Sequence, residues 1–359
     1  MAKFVFSTSL STIERTEWDD LVSTHPLGTV CHLSGYAEIL YESLGFKPLF
    51  FRLYSEKMLM AIWPCSQAGF PFKSRLVSMP LYETGGPLYR DNITEIEISD
   101  FISKVSEYIR INKIKSIEYR AALGMTPAYS SQYFVEQTIW DYASLRLDSP
   151  DHLYKNIVNS QVRKAVAKAR RNNLIVVEKH DEASIRDWFY PLYLQYMKNR
   201  HGSPPLPLEF FVGFTKKLKD VLRVFYVKLD EQIIAALLGY AVGKRIYISH
   251  APTHPDYLKY RSSDLAHWAF IEWGADNGFD YFDFGNARYE GQRRFKAKWG
   301  CTFAPYKRYY LFANGSSQPP SILDPDGIKY QVASKIWCQF VPLQLTPFFG
   351  KWIHRVLGE

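Results

Sequence analysis

The sequence contains few cysteines, and they are not arranged for metal binding or redox chemistry. Only Cys31, Cys65, Cys301 and Cys338 occur among the 359 residues, with no CxxC pair and no histidine at metal-ligand spacing. Such scattered cysteines are typical of reduced, packed thiols in a cytosolic protein. We therefore predict no metal site and no disulfide framework.

Long apolar runs and several well-known catalytic motifs are also missing. No stretch of about 18 charge-free apolar residues occurs, so we predict no membrane-crossing helix. The first residues have no long apolar core and no small-residue cleavage site, so we expect no signal peptide. There is no P-loop, no HExxH motif and no Ser-His-Asp order. A cytoplasmic protein is expected, either free in solution or peripheral at the inner face of the membrane.

The composition indicates a well-packed protein with anionic partners. Hydrophobic residues make up 47% of the chain and aromatic residues 16%, which is ample for packed cores. A chain of this length is expected to form two domains. The formal net charge of +8 favours partners that carry phosphates, nucleic acid or acidic lipid.

Short β-rich runs alternate with amphipathic helices in both halves of the chain. This alternation predicts the α/β class, with mixed sheets flanked by helices. Examples in the first half are the strand pair Phe46–Tyr54 and Lys57–Pro64 and the helix Glu95–Asn112. The predicted domains are residues 1–147 and 148–312, followed by a C-terminal tail over 313–359.

The second domain is predicted to open with a long helical stretch. Ser149 is a suitable N-cap before a proline and an acid, and the helical pattern runs to about Asn172. Within it, Lys164, Lys168 and Arg171 form a basic stripe beside an apolar one. The stripe is either a solvated helix face or a surface for RNA or phospholipid.

The tail combines aromatic and basic residues. Residues 336–357 are apolar with interruptions at Pro342 and Pro347, and Lys351, His354 and Arg355 add positive charge. One interpretation is a segment docked on the body of the protein. The other is an interfacial anchor at a membrane surface.

Residues 247–300 have the layout of a substrate site: a strand, a polar loop, a helix start, a second strand and a basic segment. The helix start at Arg261, Ser262 and Ser263 offers free N–H groups, hydroxyls and a positive charge, which together favour an anion. The alternative is that Ser262 or Ser263 only caps the helix.

Two residues at predicted strand ends are candidate bases. Asp283 ends the strand Phe279–Phe284, where open α/β sheets place ligands; alternatively, it pairs with Arg288 or Arg294 and takes no part in chemistry. His250 follows another strand and is suited to remove a proton from an amine, although a lone histidine at a strand end is more often structural.

The basic segment at residues 293–299 is predicted to be an extended loop. In that conformation Arg294, Lys296 and Lys298 face one side, and Phe295 and Trp299 face the core. The cation row is either solvated or part of a substrate site.

At this point the residues resemble a known family. The segments QVRKAVAKARRNNLIVVE and HPDYLKYRSSDLAHWAFIEWGADNGFDYFDFGNARYEGQRRFKAKWG are similar to the FemAB-like branch of the GNAT superfamily. This branch includes peptidoglycan-bridge aminoacyltransferases and a BioF2-like acetyltransferase group. The tail resembles that of relatives associated with exopolysaccharide and exosortase systems.

The resemblance implies two tandem GNAT-like domains and transfer of an acyl or aminoacyl group to an amine of a cell-envelope or polysaccharide precursor. The donor would be an aminoacyl-tRNA or an acyl-CoA, with no tightly bound cofactor. Both donors stay open for two reasons. The Gln/Arg-x-x-Gly-x-Gly/Ala loop by which ordinary GNAT enzymes bind acyl-CoA is replaced after Arg261 by Ser-Ser-Asp-Leu-Ala. The chain also has no room for the long helical-hairpin insertion of some family members, which bears on the use of aminoacyl-tRNA. The alternative function is a non-catalytic protein that binds RNA or anionic lipid in a basic cleft. The oligomeric state is left open.

The predicted site therefore has two groups of residues and no metal. The catalytic candidates are Asp283, Lys296 and His250. The candidates for binding substrate or phosphate are Arg261, Ser262, Ser263, Asn286, Arg288, Arg294 and Lys298.

Overall fold

The computed structural model describes residues 2–68, 75–121, 133–315, 318–320 and 327–357. The chain forms two compact units of the α/β class. The first unit comprises Met1–Trp140, Pro305–Ile322 and Trp352–Glu359, and the second comprises Asp141–Ala304 and Leu323–Lys351.

The units are not continuous along the chain, whereas the predicted domains are. The first division falls after Trp140 rather than after residue 147, and the chain returns to the first unit at Pro305. The predicted tail, 313–359, is shared between the units. Its residues 316–317, 321–326 and 358–359 lie outside the described residues.

The first unit begins with a strand and two helices, followed by antiparallel strands, a helix and a further strand. Its elements are β1 (Lys3–Ser7), α1 (Thr12–Thr24), α2 (Ser34–Leu44), β2 (Lys47–Ser55), β3 (Met58–Ala68), β4 (Arg75–Ser78), β5 (Leu88–Tyr89), α3 (Glu95–Ile111) and β6 (Ser116–Ala121). A 3-10 turn at Val30–His32 precedes α2.

The second unit starts on β7 (Val135–Arg146) and continues through two helices, after which the order of a strand, helices, antiparallel strands, a helix and a further strand is repeated. Its elements up to the core helix are α4 (Pro150–His152), α5 (Ser160–Arg171), β8 (Ile175–Glu178), α6 (Glu182–Ser184), α7 (Tyr190–Tyr196), α8 (Leu208–Lys217), β9 (Leu222–Leu229), β10 (Gln232–Val242), β11 (Arg245–His250) and α9 (Ser262–Asp276). The remaining elements are β12 (Tyr281–Ala287), α10 (Glu290–Ala297), β13 (Thr302–Phe312), α11 (Ile328–Phe340) and α12 (Thr346–Leu357). Wider π-helical turns follow three of the helices, at Leu153–Ile157, Ile185–Phe189 and Met197–His201.

Each unit contains one parallel strand pair within an otherwise antiparallel sheet. In the first unit the order is β1-β2-β3-β4-β6-β13, with β5 on β3, and β4 runs parallel to β6. In the second it is β7-β12-β11-β10-β9-β8, and β11 runs parallel to β12. A helix connects each parallel pair, as a crossover requires. The prediction of tandem α/β units with mixed sheets is confirmed.

Several local predictions are confirmed because strong periodicity and good caps support them. Thr94 and Glu97 form a capping box at the start of α3, and the apolar face of that helix is buried. β2 and β3 pair around Glu56 and Lys57, whose φ angles of 48° and 74° form the tight turn. Ser149 accepts a hydrogen bond from the His152 amide, as expected of an N-cap.

Two predicted segments have a different structure. The long helix after Ser149 is interrupted at Val158, and Asn159 caps a new helix, α5, through its side chain. The predicted extended loop at residues 293–299 lies largely in the helix α10. The predicted alternation, with the cations on one face and the aromatic residues in the core, is therefore wrong, because Lys296 is buried while Phe295 is exposed.

The core of the second unit lies between its sheet and the helices α5 and α9. The buried apolar stripe of α5, with Val162 and Val166, packs there with Leu265 and Phe270 of α9. The basic residues Lys164 and Lys168 are exposed on the opposite side of α5. The core therefore holds the start of α9 firmly against the strands that precede and follow it.

Candidate active site

The parallel strands β11 and β12 pair only at their amino ends. Residues 245–247 pair with 281–283, after which β11 follows β10 to His250 and β12 follows β7 to Ala287. A bulge interrupts β12 between Asp283 and Gly285, where Gly285 has a φ of 71°. Ligands of open α/β sheets bind at the carboxyl ends of such strands. The ends of β11 and β12 and the start of α9 therefore define the candidate site.

Lys296 is buried behind the end of β12. Its Nζ donates to the carbonyl oxygens of Phe284, Gly285 and Asn286 at 2.6, 2.9 and 2.6 Å. A lysine ammonium has three N–H donors, and these three carbonyls account for all of them. In this geometry Lys296 stabilises the bulged strand from within, and the predicted row of Arg294, Lys296 and Lys298 does not form.

Asp283 lies inside β12 rather than at its end, and it has a full set of partners. Its carboxylate accepts hydrogen bonds from Arg245 Nε at 2.7 Å and Nη2 at 2.6 Å, and from Ser144 Oγ at 2.8 Å. The predicted pairing with an arginine is present, but the partner is Arg245 instead of Arg288 or Arg294. The bidentate pair is largely buried, which makes it a structural link between β7, β11 and β12.

The start of α9 differs from the predicted serine cap. Arg261 is the N-cap residue, in the left-handed region at a φ of 62°, and its side chain pairs with Asp264 at 3.0 Å. Ser262 is 1% exposed, and its Oγ has no hydrogen-bond partner within the described part of the chain. The carbonyl of Ser263 accepts a hydrogen bond from His267.

His267 connects this helix start to β12 and α10. Burial lowers its pKa, so the imidazole is neutral at pH 7, and Nδ1 donates to the Ser263 carbonyl at 2.7 Å. Its ring lies 5.9 Å from that of Phe284 and 5.6 Å from that of Trp299. The aromatic contacts fix the first turn of α9 beside the end of β12.

Asn286, at the end of β12, is a second buried polar residue with an unsatisfied oxygen. It is 7% exposed, and its Oδ1 has no hydrogen-bond partner among the described residues. Leaving a buried polar group unsatisfied costs about 1–3 kcal/mol. Ser262 and Asn286 thus both supply hydrogen-bonding capacity that a bound ligand could use.

A cavity of about 100 Å³ opens at the carboxyl end of β11. Its lining residues are Tyr193, Tyr196, Met197, His201, Ser249, His250, Ala251 and Pro252. Aromatic rings dominate the walls, while hydroxyl and imidazole groups provide the polar contacts. Such a combination is typical of a small-molecule site.

His250 is held in this cavity by two rings and a hydroxyl. Its imidazole lies edge-on to Tyr193 and Phe211, with centroids at 5.1 and 5.3 Å, and its Nδ1 is 2.7 Å from Ser249 Oγ. Burial, together with the charges of Arg288 and Arg200, lowers the pKa of the nearby His201. The cavity therefore contains a neutral histidine, His201, and a histidine whose ring orientation is fixed by its neighbours, His250.

The other predicted cations do not gather around Lys296. The backbone amide of Arg288 donates to Gln292 Oε1 at 2.9 Å. Arg294 is exposed beside Glu290, at 3.8 Å, and Lys298 is exposed on the turn after α10. Of the predicted residues, Ser262, Ser263, Asn286 and Lys296 are thus brought together around α9 and β12, while His250 lies in the cavity at the end of β11.

Sequence reasoning missed several residues of this region. Tyr193 and Tyr196 line the cavity, and their spacing of three positions on one helix face is the sequence signal that could have found them. Arg245 and Ser144 were missed because nothing local indicates their contact with Asp283. His267 was hidden within an apolar helix.

Across the described ranges, no group of three or more histidine, cysteine, aspartate or glutamate residues is placed to hold a metal ion. Where the chain is described, every helix is too short or too polar to cross a bilayer.

Comparison with known proteins identifies the fold. Residues 158–308 match the family described as an acetyltransferase (GNAT) domain. The crystal structure of FemX is similar at a TM-score of 0.69 and 11% identity, covering 87% of this chain and 98% of that chain. A tandem GNAT protein from the clavulanic acid biosynthesis pathway is similar at a TM-score of 0.50 and 11% identity, covering 88% and 100%.

A third similar structure is the C-terminal domain of a putative lysylphosphatidylglycerol synthetase from Agrobacterium fabrum. Its TM-score is 0.55 at 12% identity, with 84% of this chain and 91% of that chain covered. No curated protein matches the sequence. The fold is that of a tandem GNAT protein.

Proposed function

We propose that this protein transfers an acyl or aminoacyl group from an activated donor to an amine of a cell-envelope or polysaccharide precursor. The observation that carries the proposal is the aromatic cavity with His250 at the end of β11, inside the acetyltransferase-like segment. The names of two similar structures, FemX and a lysylphosphatidylglycerol synthetase, favour aminoacyl transfer over simple acetylation.

The start of α9 would bind the phosphates of the donor. The backbone N–H groups of a helix N-terminus favour anions, and Ser262 adds a buried hydroxyl without a partner among the described residues. Asn286, at the neighbouring strand end, would hydrogen-bond the donor from the other side. Both an acyl-CoA and an aminoacyl-tRNA carry the phosphates that this arrangement suits.

The acceptor amine would enter the cavity and attack the donor carbonyl directly. The new C–N bond forms as the C–S bond of a thioester, or the C–O bond of an ester, breaks. His250 would take the proton released by the amine, and that proton then goes to the leaving thiolate or alkoxide. Neither Asp283 nor Lys296 is required as the base, because the ion pair of Asp283 and the three carbonyls around Lys296 account for their polar groups.

The alternative, a non-catalytic basic cleft, loses its main support when Lys296 is buried. Among the described residues, the α5 stripe of Lys164, Lys168 and Arg171 is a cationic surface of this kind, and all three are exposed. RNA binding through this stripe would not depend on His250, so the two functions can be separated by mutation.

The test is turnover with two donor sets, acyl-CoA thioesters and aminoacyl-tRNAs, using amine-bearing envelope precursors as acceptors. We expect His250→Asn to lower kcat by about 100-fold or more, since general base catalysis contributes at least that much. His152→Asn, at an exposed position on α4, is the matched control and should keep wild-type activity. Thermal unfolding of each variant verifies that the fold is intact.

Each result has a defined meaning. Product from thioesters alone would remove aminoacyl-tRNA as the donor, and the reverse result would remove acyl-CoA. Unchanged turnover in His250→Asn would exclude His250 as the base. Retention of RNA without product from any donor would replace the enzyme by the binding protein.

A further inference from the structure

The helix α11 exposes an apolar stripe along one side. Ile328, Val332, Ile336 and Phe340 recur every four residues, and their exposed fractions are 80, 49, 52 and 73%. Residues at this spacing lie on one face of a helix. An exposed stripe of large apolar side chains over the full length of a helix indicates an interaction surface.

The opposite side of α11 is attached to the second unit, so the stripe has a fixed orientation. Lys198 Nζ donates to the carbonyl of Trp337 at 2.7 Å and also to that of Cys338. Cys338 Sγ lies 3.0 Å from the carbonyl oxygen of Lys198. Where Gly202 passes the helix, a Cβ would come within 1.8 Å of Ser334 Oγ. These contacts hold the inner face of α11 against residues 198–202, so the apolar stripe on the other face points to solvent.

The helix α12 repeats this arrangement with aromatic residues. Phe348 and Phe349 are exposed and Trp352 follows on the next turn of the same face. On the inner side, Thr346 is buried and Gly350 approaches the backbone of Pro205 so closely that a Cβ would lie 2.0 Å from its carbonyl oxygen. Both helices therefore bury small or polar residues and expose large apolar ones.

The charge of this region is of one sign. Residues 327–357 contain three lysines and one arginine, at positions 329, 335, 351 and 355, and no aspartate or glutamate. Exposed aromatic residues flanked by lysine and arginine are typical of helices that lie in a membrane interface. Protein–protein interfaces are instead depleted of lysine, so a lipid surface fits this composition better than a protein partner does.

We propose that α11 and α12 dock on the surface of an anionic lipid bilayer, with the apolar side chains in the headgroup boundary and the basic residues on acidic headgroups. Electrostatic attraction of about 1 kcal/mol per basic residue near such a surface adds to apolar burial. The proposal does not rest on the proposed activity. It does have a consequence for it: Lys198 lies between Met197 and His201, which line the cavity, so docking would place that cavity close to the bilayer.

The test is flotation of the full chain with vesicles of phosphatidylcholine alone and of phosphatidylcholine mixed with phosphatidylglycerol. We expect binding to the mixed vesicles and weakening by salt. The variant Ile336→Ser/Phe348→Ser should lower the partition coefficient by about tenfold or more, because two large apolar groups no longer enter the boundary. Ile13→Ser/Ile96→Ser is the matched control, as both isoleucines are highly exposed elsewhere, and it should bind like the wild type.

A charge series separates this surface from the basic stripe on α5. Lys335→Glu/Lys351→Glu should reduce flotation with anionic vesicles, whereas Lys164→Glu/Lys168→Glu should not. All four lysines are exposed, so the substitutions should leave the fold intact, which circular dichroism verifies.

Three results would overturn the proposal. The wild type fails to float with anionic vesicles; or the serine variant floats as well as the wild type; or the α5 substitutions abolish binding while the α11 and α12 substitutions do not. Light scattering without lipid gives a fourth: if the wild type self-associates and the serine variant is monomeric, the stripe is a protein contact instead.

Discussion

At the scale of single residues, the two charged residues predicted to be catalytic, Asp283 and Lys296, have structural partners. Lys296 lies behind the carboxyl end of β12 and Asp283 lies inside that strand, yet each is largely buried with a complete set of hydrogen bonds. A buried charge is tolerated only when it is paired or fully hydrogen-bonded. A charged side chain that is buried next to a site can therefore have all its hydrogen bonds made within the protein and none left for a ligand.

Lys296→Met tests this directly. Losing charged hydrogen bonds to three strand-end carbonyls is expected to lower the free energy of unfolding by about 3 kcal/mol, measured by urea denaturation. Lys298→Met, two positions later and exposed, is the control and should change stability by less than about 0.5 kcal/mol. If Lys296→Met retains full stability but loses turnover, Lys296 binds substrate as first predicted.

At the scale of elements, sequence periodicity was most reliable where one face is apolar and least reliable where charges dominate. α3 and α5 were recognised from their apolar stripes, and both stripes are buried. Residues 293–299 carry alternating charges that are compatible with a strand, but Glu290 and Arg294 lie one helical turn apart and pair across it. With no clear apolar period, local interactions and the buried Lys296 decide in favour of a helix.

The break between the turn at Leu153–Ile157 and α5 was also missed, and it depends on one side chain. Asn159 Oδ1 accepts from the Gln161 amide at 2.8 Å, and the Asn159 amide donates to the Lys298 carbonyl at 2.8 Å. The local pattern there is that of one continuous helix. The backbone acceptor of the Asn159 amide, Lys298, lies 139 residues further along the chain, so the sequence near Asn159 does not reveal the break.

Asn159→Ala should therefore destabilise the protein by about 1 kcal/mol, the usual cost of removing an N-cap. Chemical denaturation measures this loss. Gln161→Ala keeps the backbone donor and serves as the control, with little change expected. An equal loss in both variants would show that the side chain of Asn159 does not act as a cap.

At the scale of the whole molecule, two units with the same order of elements divide the chain unevenly. The last strand of the first unit's sheet, β13, follows the second unit in sequence, and residues 307–312 pair with residues 116–121 of β6. Tyr309 stacks on Tyr119 at 5.0 Å across this pair. A continuous first domain over 1–147 therefore lacks one strand of its own sheet.

We expect the fragment 1–147 to show no cooperative unfolding transition, because β6, whose residues are all buried in the full chain, would keep only β4 as a partner and expose its other edge. The same fragment joined through a Gly/Ser linker to residues 302–315 should regain one, measured by circular dichroism in urea. Cooperative unfolding of the unlinked fragment would mean that β13 is dispensable for the first unit.

The sequence by itself determined the α/β class and the tandem units, because these depend on apolar periodicity and on motifs that are local in the chain. It also brought Ser262, Asn286 and His250 into consideration as residues at helix starts and strand ends. Only the tertiary structure decided which charged side chains have partners within the protein. Asp283, for example, is hydrogen-bonded to Arg245 and Ser144, which lie 38 and 139 positions away in the sequence. Local patterns indicate where a charge lies along an element, whereas its chemistry depends on partners that folding brings from elsewhere.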